Sequence, residues 1–342
     1  MKKDSSVSKK IITIACLVFV VLGAWYFTRM VQGYDGEKAT WVYIPQDATK
    51  DQASDSLRSS LGNGFGGRVA MLLDYTPENS HGAYRIEPGE KVWQIARKIS
   101  QGRQTPVRVT FNNVRTFGEL ADRLAARMEF TPDQFLAASK QIAEEEGISE
   151  EQLESEFLPD TYEAYWTATP QQLISKIRDN YSRFWNDERR SKAASIGLTP
   201  LQASTLASIV EEETNKRDER PAVARLYLNR LSRGMKLQAD PTVRFAKGDF
   251  TIKRVTGDML SIQSPYNTYV VNGLPPGIIR LPEARTIDQV LSAPAHNYIY
   301  MCARPDGSGY HDFTADYSTH LANARKYRNA VFGTRLFHLR QK

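Results

Sequence analysis

Eighteen consecutive uncharged residues, Ile11 to Thr28, commit part of this chain to a different solvent from the rest. The run is apolar apart from Thr13 and Thr28, and its length is close to the minimum for a helix crossing the hydrocarbon core of a bilayer. Trp25 and Tyr26 stand at its far end, where interfacial aromatics belong. Lys2, Lys3, Lys9 and Lys10 precede it, which predicts a cytoplasmic N-terminus. A cleaved signal peptide is the alternative. The run is long for a signal core, and Gly23-Ala24-Trp25 is a poor cleavage site. The expected layout is a cytoplasmic tail over 1–10, a transmembrane helix over 11–28 and a stalk over 29–39. Everything after the stalk is expected on the far side of the membrane from the N-terminus.

The remaining length suffices for two small domains. Net charge is +6, but the four lysines less Asp4 in the first ten residues supply +3 of it. The other basic residues form no stripe of the kind that binds nucleic acid, so nucleic acid is not an expected partner. Of the two cysteines, Cys16 lies inside the apolar run and Cys302 stands alone outside it. No disulfide can join them in the folded state, so the exported part must rely on its core. Tyr298-Ile299-Tyr300-Met301-Cys302 reads as a buried strand, with Cys302 as packing.

Three segments after the stalk share one plan: a short strand, a turn, then a helix with apolar residues at i, i+3 or i+4. The first runs from Ile44 through Pro45 and Asp47 to a helix ending near Leu57. The second is Ile86-Glu87-Pro88-Gly89-Glu90 followed by Val92, Ile95 and Ile99. The third is Phe111-Asn112-Asn113 leading to Phe117, Leu120 and Leu124. Gly62-Asn63-Gly64-Phe65-Gly66-Gly67 lacks the lysine and hydroxyl of a phosphate loop and reads as a flexible turn. From Thr131 the pattern is helical. Thr131-Pro132, Thr169-Pro170 and Thr199-Pro200 each pair an N-cap residue with proline at the first helical position. A last helix is expected over about 318–331. The fold class is α+β, mostly helical beyond residue 130, with short strands.

The helix opened by Thr199 ends in Glu211-Glu212-Glu213. The negative end of the helix dipole and mutual repulsion both raise a carboxyl pKa there, and so does burial. A carboxylic acid kept protonated near neutral pH is what general-acid catalysis needs. At about 100° per residue, Ala203, Leu206, Ile209 and Val210 share a face, and Glu213 falls on it. Glu211 lies at its edge and Glu212 points away. Glu213 is therefore the candidate acid, with Glu211 second. A second helix, about 222–232, ends at Gly234. The irregular Leu237-Gln238-Ala239-Asp240-Pro241-Thr242 follows, then Pro265-Tyr266-Asn267-Thr268-Tyr269 and the rigid Gly273-Leu274-Pro275-Pro276-Gly277. Tyrosine beside asparagine suits a polar, stackable ligand such as a sugar.

In that order, and with Phe157-Leu158-Pro159-Asp160-Thr161-Tyr162 upstream and Gly309-Tyr310-His311-Asp312-Phe313 downstream, these motifs resemble the YceG-like family. Its members are endolytic murein transglycosylases. The resemblance implies a LysM-like α/β module over 40–130 and a catalytic domain over 131–342. It implies a membrane-anchored lyase that cleaves the MurNAc–GlcNAc bond of peptidoglycan and leaves 1,6-anhydroMurNAc ends. The family's catalytic glutamate, followed by a small hydroxyl residue, falls here on Glu213 and Thr214. Glu211, Gln238, Asp240, Tyr266 and Asn267 are expected to line or support the cleft, with no metal and no cofactor. Membrane-bound peptidoglycan synthases are the implied protein partners. Three alternatives stay open: a hydrolytic muramidase using Asp240 or Glu211 as second carboxylate, a metal-dependent hydrolase using Glu211, Glu213, His311 and His320, and a catalytically silent peptidoglycan-binding protein.

Overall fold

The computed structural model describes the backbone of residues 4–339, so Lys2 and Lys3 lie outside the described residues. The chain forms two compact units. The first gathers Met1–Val109, Arg127–Phe130 and Glu163–Thr169. The second gathers Thr110–Ala126, Thr131–Tyr162 and Pro170–Lys342.

The first unit begins with α1 (Asp4–Met30), whose stretch Lys9–Met30 contains an apolar run of mean hydropathy 2.3 with no part of that run buried. Twenty-two helical residues extend about 33 Å, enough to cross a bilayer. Then come β1 (Thr40–Ile44), α2 (Lys50–Leu61), α3 (Asn63–Leu72), the short α4 (Pro77–Ser80), β2 (Gly82–Ile86) and α5 (Val92–Ser100). β1 and β2 pair antiparallel, with Thr40 opposite Ile86 and Ile44 opposite Gly82. Alternation along the strands buries Val42, Ile44, Tyr84 and Ile86 on one face and leaves Tyr43 and Arg85 on the other. Val92, Ile95, Ala96 and Ile99 of α5 close that core.

Two features differ from the sequence reading. The glycine-rich segment is the first half of α3, not a flexible turn. A Cβ on Gly66 would come within 2.2 Å of the Leu57 carbonyl oxygen, so this glycine lets α3 lie directly on α2. Residues 31–34 are bound to the unit and do not form a free stalk. Met30 is buried in the core, and the Tyr34 N–H donates to the Glu90 carbonyl at 2.9 Å.

β3 (Val107–Phe111) pairs with β4 (Asp160–Ala164), and the chain changes unit inside both strands. Between them lie α6 (Phe117–Ala125), α7 (Pro132–Glu146) and α8 (Glu150–Ser155). After β4 follow α9 (Pro170–Phe184), α10 (Asp187–Ser195), α11 (Pro200–Glu213), α12 (Arg220–Ser232) and α13 (Asp240–Lys247). The chain closes with α14 (Ala284–Leu291), β5 (Tyr300–Ala303), β6 (His311–Thr314) and α15 (Tyr317–Leu339). α11 is the axis of the second unit. Every residue from Ala203 to Glu211 is buried, so this helix is enclosed on all sides, not on one face. Ala203, Ser204, Ala207 and Ser208 keep its surface narrow enough for α10, α12, α13 and α14 to pack around it. Its start is fixed by a capping box, in which Thr199 and Gln202 satisfy each other's backbone N–H groups. β5 and β6 pair antiparallel, from Tyr300 opposite Thr314 to Ala303 opposite His311. The expected buried strand over 298–302 is only half-buried and begins at Tyr300. Burial and the Asp312 charge push the Cys302 thiol pKa up, consistent with packing and not with a nucleophile.

Candidate active site

The three glutamates that end α11 have different fates. Glu211 is buried, meets Arg280 at 3.3 Å and Arg220 at 3.9 Å, and accepts the Glu283 backbone N–H at 3.0 Å. Glu212 does not project into solvent. It pairs with Arg280 at 2.7 Å and Arg115 at 3.2 Å. Four links therefore tie the end of α11 to Arg115, Arg220 and Arg280, and the repulsion expected within the run is answered by guanidinium groups. Glu213 has no ion pair among the described residues. The Tyr227 hydroxyl donates to its carboxylate at 3.2 Å.

Burial pushes the Glu213 carboxyl up to about 7. The His311 charge opposes this, the Asp240 charge adds to it, and the Tyr227 hydrogen bond and Arg244 pull down. Glu213 opens onto a polar cleft of about 310 Å³. α12 contributes Tyr227 and Arg230 to its wall, β6 contributes His311 and α15 contributes His320. Gln238 and Asp240, both expected from sequence, line it as well. Asp240 is the first residue of α13 and not part of an irregular loop, and its carboxylate accepts from the Tyr269 hydroxyl at 2.7 Å. Gln238 holds a left-handed backbone with φ of 52°, a costly conformation for a side-chain-bearing residue. Its N–H donates to the Thr268 carbonyl at 3.1 Å, and the neighbouring Ala239 N–H donates to Thr268 Oγ1 at 3.0 Å. Arg230 braces the same turn from beneath, donating to the Leu237 and Ile299 carbonyls at 2.7 Å each.

His311 is set from behind. Its Nδ1 lies 2.9 Å from Glu219 Oε2, and its backbone N–H donates to Glu219 Oε1 at 2.6 Å. Thr214, directly after Glu213, donates its hydroxyl to the same Glu219 carboxylate at 2.9 Å. Burial disfavours a charged ring, but the bond to Glu219 and the charges of Glu219 and Glu213 outweigh it and raise the His311 pKa. Burial likewise disfavours the Glu219 anion, yet the bonds from His311 and Thr214 hold its carboxyl below the usual range. The cleft thus holds a protonatable carboxylic acid beside a histidine whose charged form is favoured by Glu219. An acid so placed can give a proton to a leaving oxygen and later remove one.

Tyr266 and Asn267 do not line this cleft. Asn267 is fully buried and spends its amide on the Leu260 and Ile262 carbonyls and the Tyr269 N–H, which shapes the loop. Tyr266 packs on Phe245 with ring centroids 4.7 Å apart. Their neighbour Tyr269 is the one that faces the cleft. Sequence reasoning missed Glu219, and it placed Tyr269, and Tyr227 and Arg230 in Tyr227-Leu228-Asn229-Arg230-Leu231, within motifs without giving them a role. His311 was weighed only as a metal ligand, although its motif was visible. Among the described residues, no three His, Cys, Asp or Glu side chains gather as a metal site. One other carboxyl, Glu154 of α8, is pushed up to about 7, by burial first and then by Glu151 and Glu150. It borders a mostly apolar hollow beside Phe117, Leu136 and Leu153, with no comparable set of polar groups.

The sequence model of the YceG-like family matches residues 42–326 of this chain. An endolytic murein transglycosylase of Bacillus subtilis (strain 168) is 31% identical over 175 residues, covering 51% of this chain and 48% of that protein. One from Streptococcus pneumoniae serotype 2 is 29% identical over 159 residues, covering 44% and 28%. The chain therefore spans about half the length, or less, of the curated relatives it matches. The crystal structure of a YceG-like protein from Listeria monocytogenes superimposes with a TM-score of 0.56 at 22% identity, covering 84% of this chain and 99% of that one. At that identity the likeness concerns the fold.

Proposed function

Because this chain belongs to the YceG-like family, we propose that it is a lytic transglycosylase cutting the glycan strands of peptidoglycan. Its relatives carry the name endolytic murein transglycosylase. The observation that carries the reading is Glu213. It alone of the three run glutamates lacks a cationic partner among the described residues, its pKa stands near 7, and it opens onto a polar cleft. It also occupies the family's catalytic position, a glutamate followed by a small hydroxyl residue.

Protonated Glu213 donates to the glycosidic oxygen between MurNAc and GlcNAc. The glutamate then accepts the proton of the C6 hydroxyl on the same muramoyl residue. That hydroxyl attacks the anomeric carbon and closes the anhydro ring. An intramolecular nucleophile has a large advantage in effective concentration, and no second carboxylate is needed to activate water. His311, whose charged form Glu219 favours, stabilises the Glu213 anion left after the first transfer. Asp240, oriented by the Tyr269 hydroxyl, faces the positive charge that develops at the anomeric centre. Gln238 is the remaining polar contact for the sugar, while Glu211 positions the end of α11 through its arginines. The repeated strand–turn–helix plan supports reading the first unit as LysM-like. α1 is read as an uncleaved anchor with the rest of the chain outside the cytoplasmic membrane, close to membrane-bound peptidoglycan synthases.

Mass spectrometry tests this on uncrosslinked glycan strands treated with the full chain in detergent. Products lighter by one water than their hydrated forms, absent with Glu213→Gln, support the transglycosylase. Hydrated reducing ends would move Asp240 into the role of a second carboxylate and make the protein a muramidase. Glycan binding with no products would leave a binding protein.

A further inference from the structure

We propose that the turn 87–91 and Trp93, in the first turn of α5, form a second membrane contact that rests in the lipid headgroup layer beside the exit of α1. This rests on the reading of α1 as an uncleaved anchor. The end of the apolar helix and the start of the folded unit are the same place. Arg29 is the first charge after the run, and Met30, the next residue, is buried in the core of the first unit. Gln32 accepts the Val92 N–H at 3.2 Å, Tyr34 donates to the Glu90 carbonyl at 2.9 Å, and the Gly89 N–H donates to the Tyr34 carbonyl at 2.7 Å. Gly33 lies so close to the turn that a Cβ there would meet the Gly89 oxygen at 2.8 Å. Two residues of chain span at most about 7 Å, so Gln32 stands no farther than that from the end of the helix, and Val92 is one hydrogen bond beyond it. The headgroup layer on each side of a bilayer is about 5–8 Å thick. The turn is therefore held at headgroup depth by hydrogen bonds, with no linker to lift it away.

The side chains suit that depth. α5 buries Val92, Ile95, Ala96 and Ile99, and its outer face is otherwise polar, with Gln94 and Arg97. Trp93 breaks that pattern, with 42% of its surface exposed on the outer face. An indole with an apolar body and one N–H donor belongs at a membrane–water boundary. The acids of the turn are answered within the unit, Glu87 by Arg85 at 3.3 Å and Glu90 by Lys98 at 2.5 Å. Lys91 is exposed and makes no ion pair among the described residues, and Arg29 adds a second cation at the helix end. Two cations and an indole match lipid phosphates lying above acyl chains.

The test uses the full chain in nanodiscs of phosphatidylethanolamine and phosphatidylglycerol, with Cys16 and Cys302 replaced by alanine. Nitroxide labels are placed singly through Trp25→Cys, Trp93→Cys and Asp55→Cys, the last on exposed surface of the same unit. Power saturation with oxygen and a water-soluble nickel chelate reads the depth of each. The expected order is residue 25 deepest, residue 93 at headgroup depth and residue 55 in water. In a Gly33→Val background, the label at 93 should move toward water while that at 25 stays. A label at 93 that matches residue 55, with residue 25 in lipid, overturns the second contact and leaves the anchor standing. A label at 25 that also reads water, or an intact mass lacking the first residues, overturns the anchor reading and this inference with it.

Discussion

Glu213 and its neighbours differ in what their removal should do. Glu213→Gln should lower kcat by about 10²–10⁴-fold, the usual contribution of a general acid, with the fold retained. The same change should stabilise the protein at alkaline pH. The folded pKa of about 7 lies above the ordinary value near 4.5, so the folded state holds the proton more tightly than the unfolded chain. The Glu213 contribution is therefore neutral below about pH 4.5, builds as a penalty as pH rises from there, and levels off above about 7 at roughly 3 kcal/mol. Thermal unfolding of Glu213→Gln against wild type should show a gain at pH 8 and none at pH 4. Activity should fall as pH rises through about 7, because only the protonated acid can begin the reaction. His311→Gln removes the cation that holds Glu213 down, so the alkaline limb of kcat/KM should move to higher pH. A lower rate with an unmoved limb would reduce His311 to shaping the cleft. Glu211→Gln should act on stability first, because it leaves Arg280 and Arg220 partly unpaired in the interior. A loss of about 3–5 kcal/mol in urea unfolding is expected for a broken buried pair.

At the scale of elements, α11 shows what a sequence displays and what it hides. Its N-cap threonine, its proline and its terminal glutamate run are local features and could be read directly, as could the strand–turn–helix plan that gave β1, β2, β3 and the helices after them. Its enclosure on every side could not, because that depends on which helices pack around it. The partners of Glu211 and Glu212 were also out of reach, since Arg115 and Arg280 lie far away in the chain and meet only in the folded unit. The choice of Tyr269 over Tyr266 and Asn267 is of the same kind: the loop spends its asparagine on its own carbonyls and turns the second tyrosine to the cleft. α3 failed for the opposite reason. Glycine is a poor helix former, and only the approach of α2 explains its use. Gly66→Ala should destabilise the protein by about 1–3 kcal/mol through overpacking, despite the better helix propensity of alanine. Denaturant melts of that variant would check it, and a gain in stability would show that α2 and α3 do not approach so closely.

For the molecule as a whole, the path of the chain matters more than any single boundary. The chain passes from one unit to the other at 109, 126, 130, 162 and 169. A cut at residue 130 would strip the first unit of Trp166, whose ring packs on Tyr43 at 5.2 Å, and of Thr167, which bonds to Gln104 at 3.2 Å. A fragment covering residues 31–130 should therefore unfold at lower temperature than the same region in the full chain, as followed by hydrogen exchange at the amides of β1 and β2. Equal protection in both would mean that the returning segments add nothing. The buried position of Met30 reaches further than depth in the bilayer. A protease that severed the tether near this residue would also pull a stopper from the hydrophobic interior of the unit it released. On the proposed reading of α1 as an anchor, shedding and loss of fold would then be one event, and no intact unit would drift free.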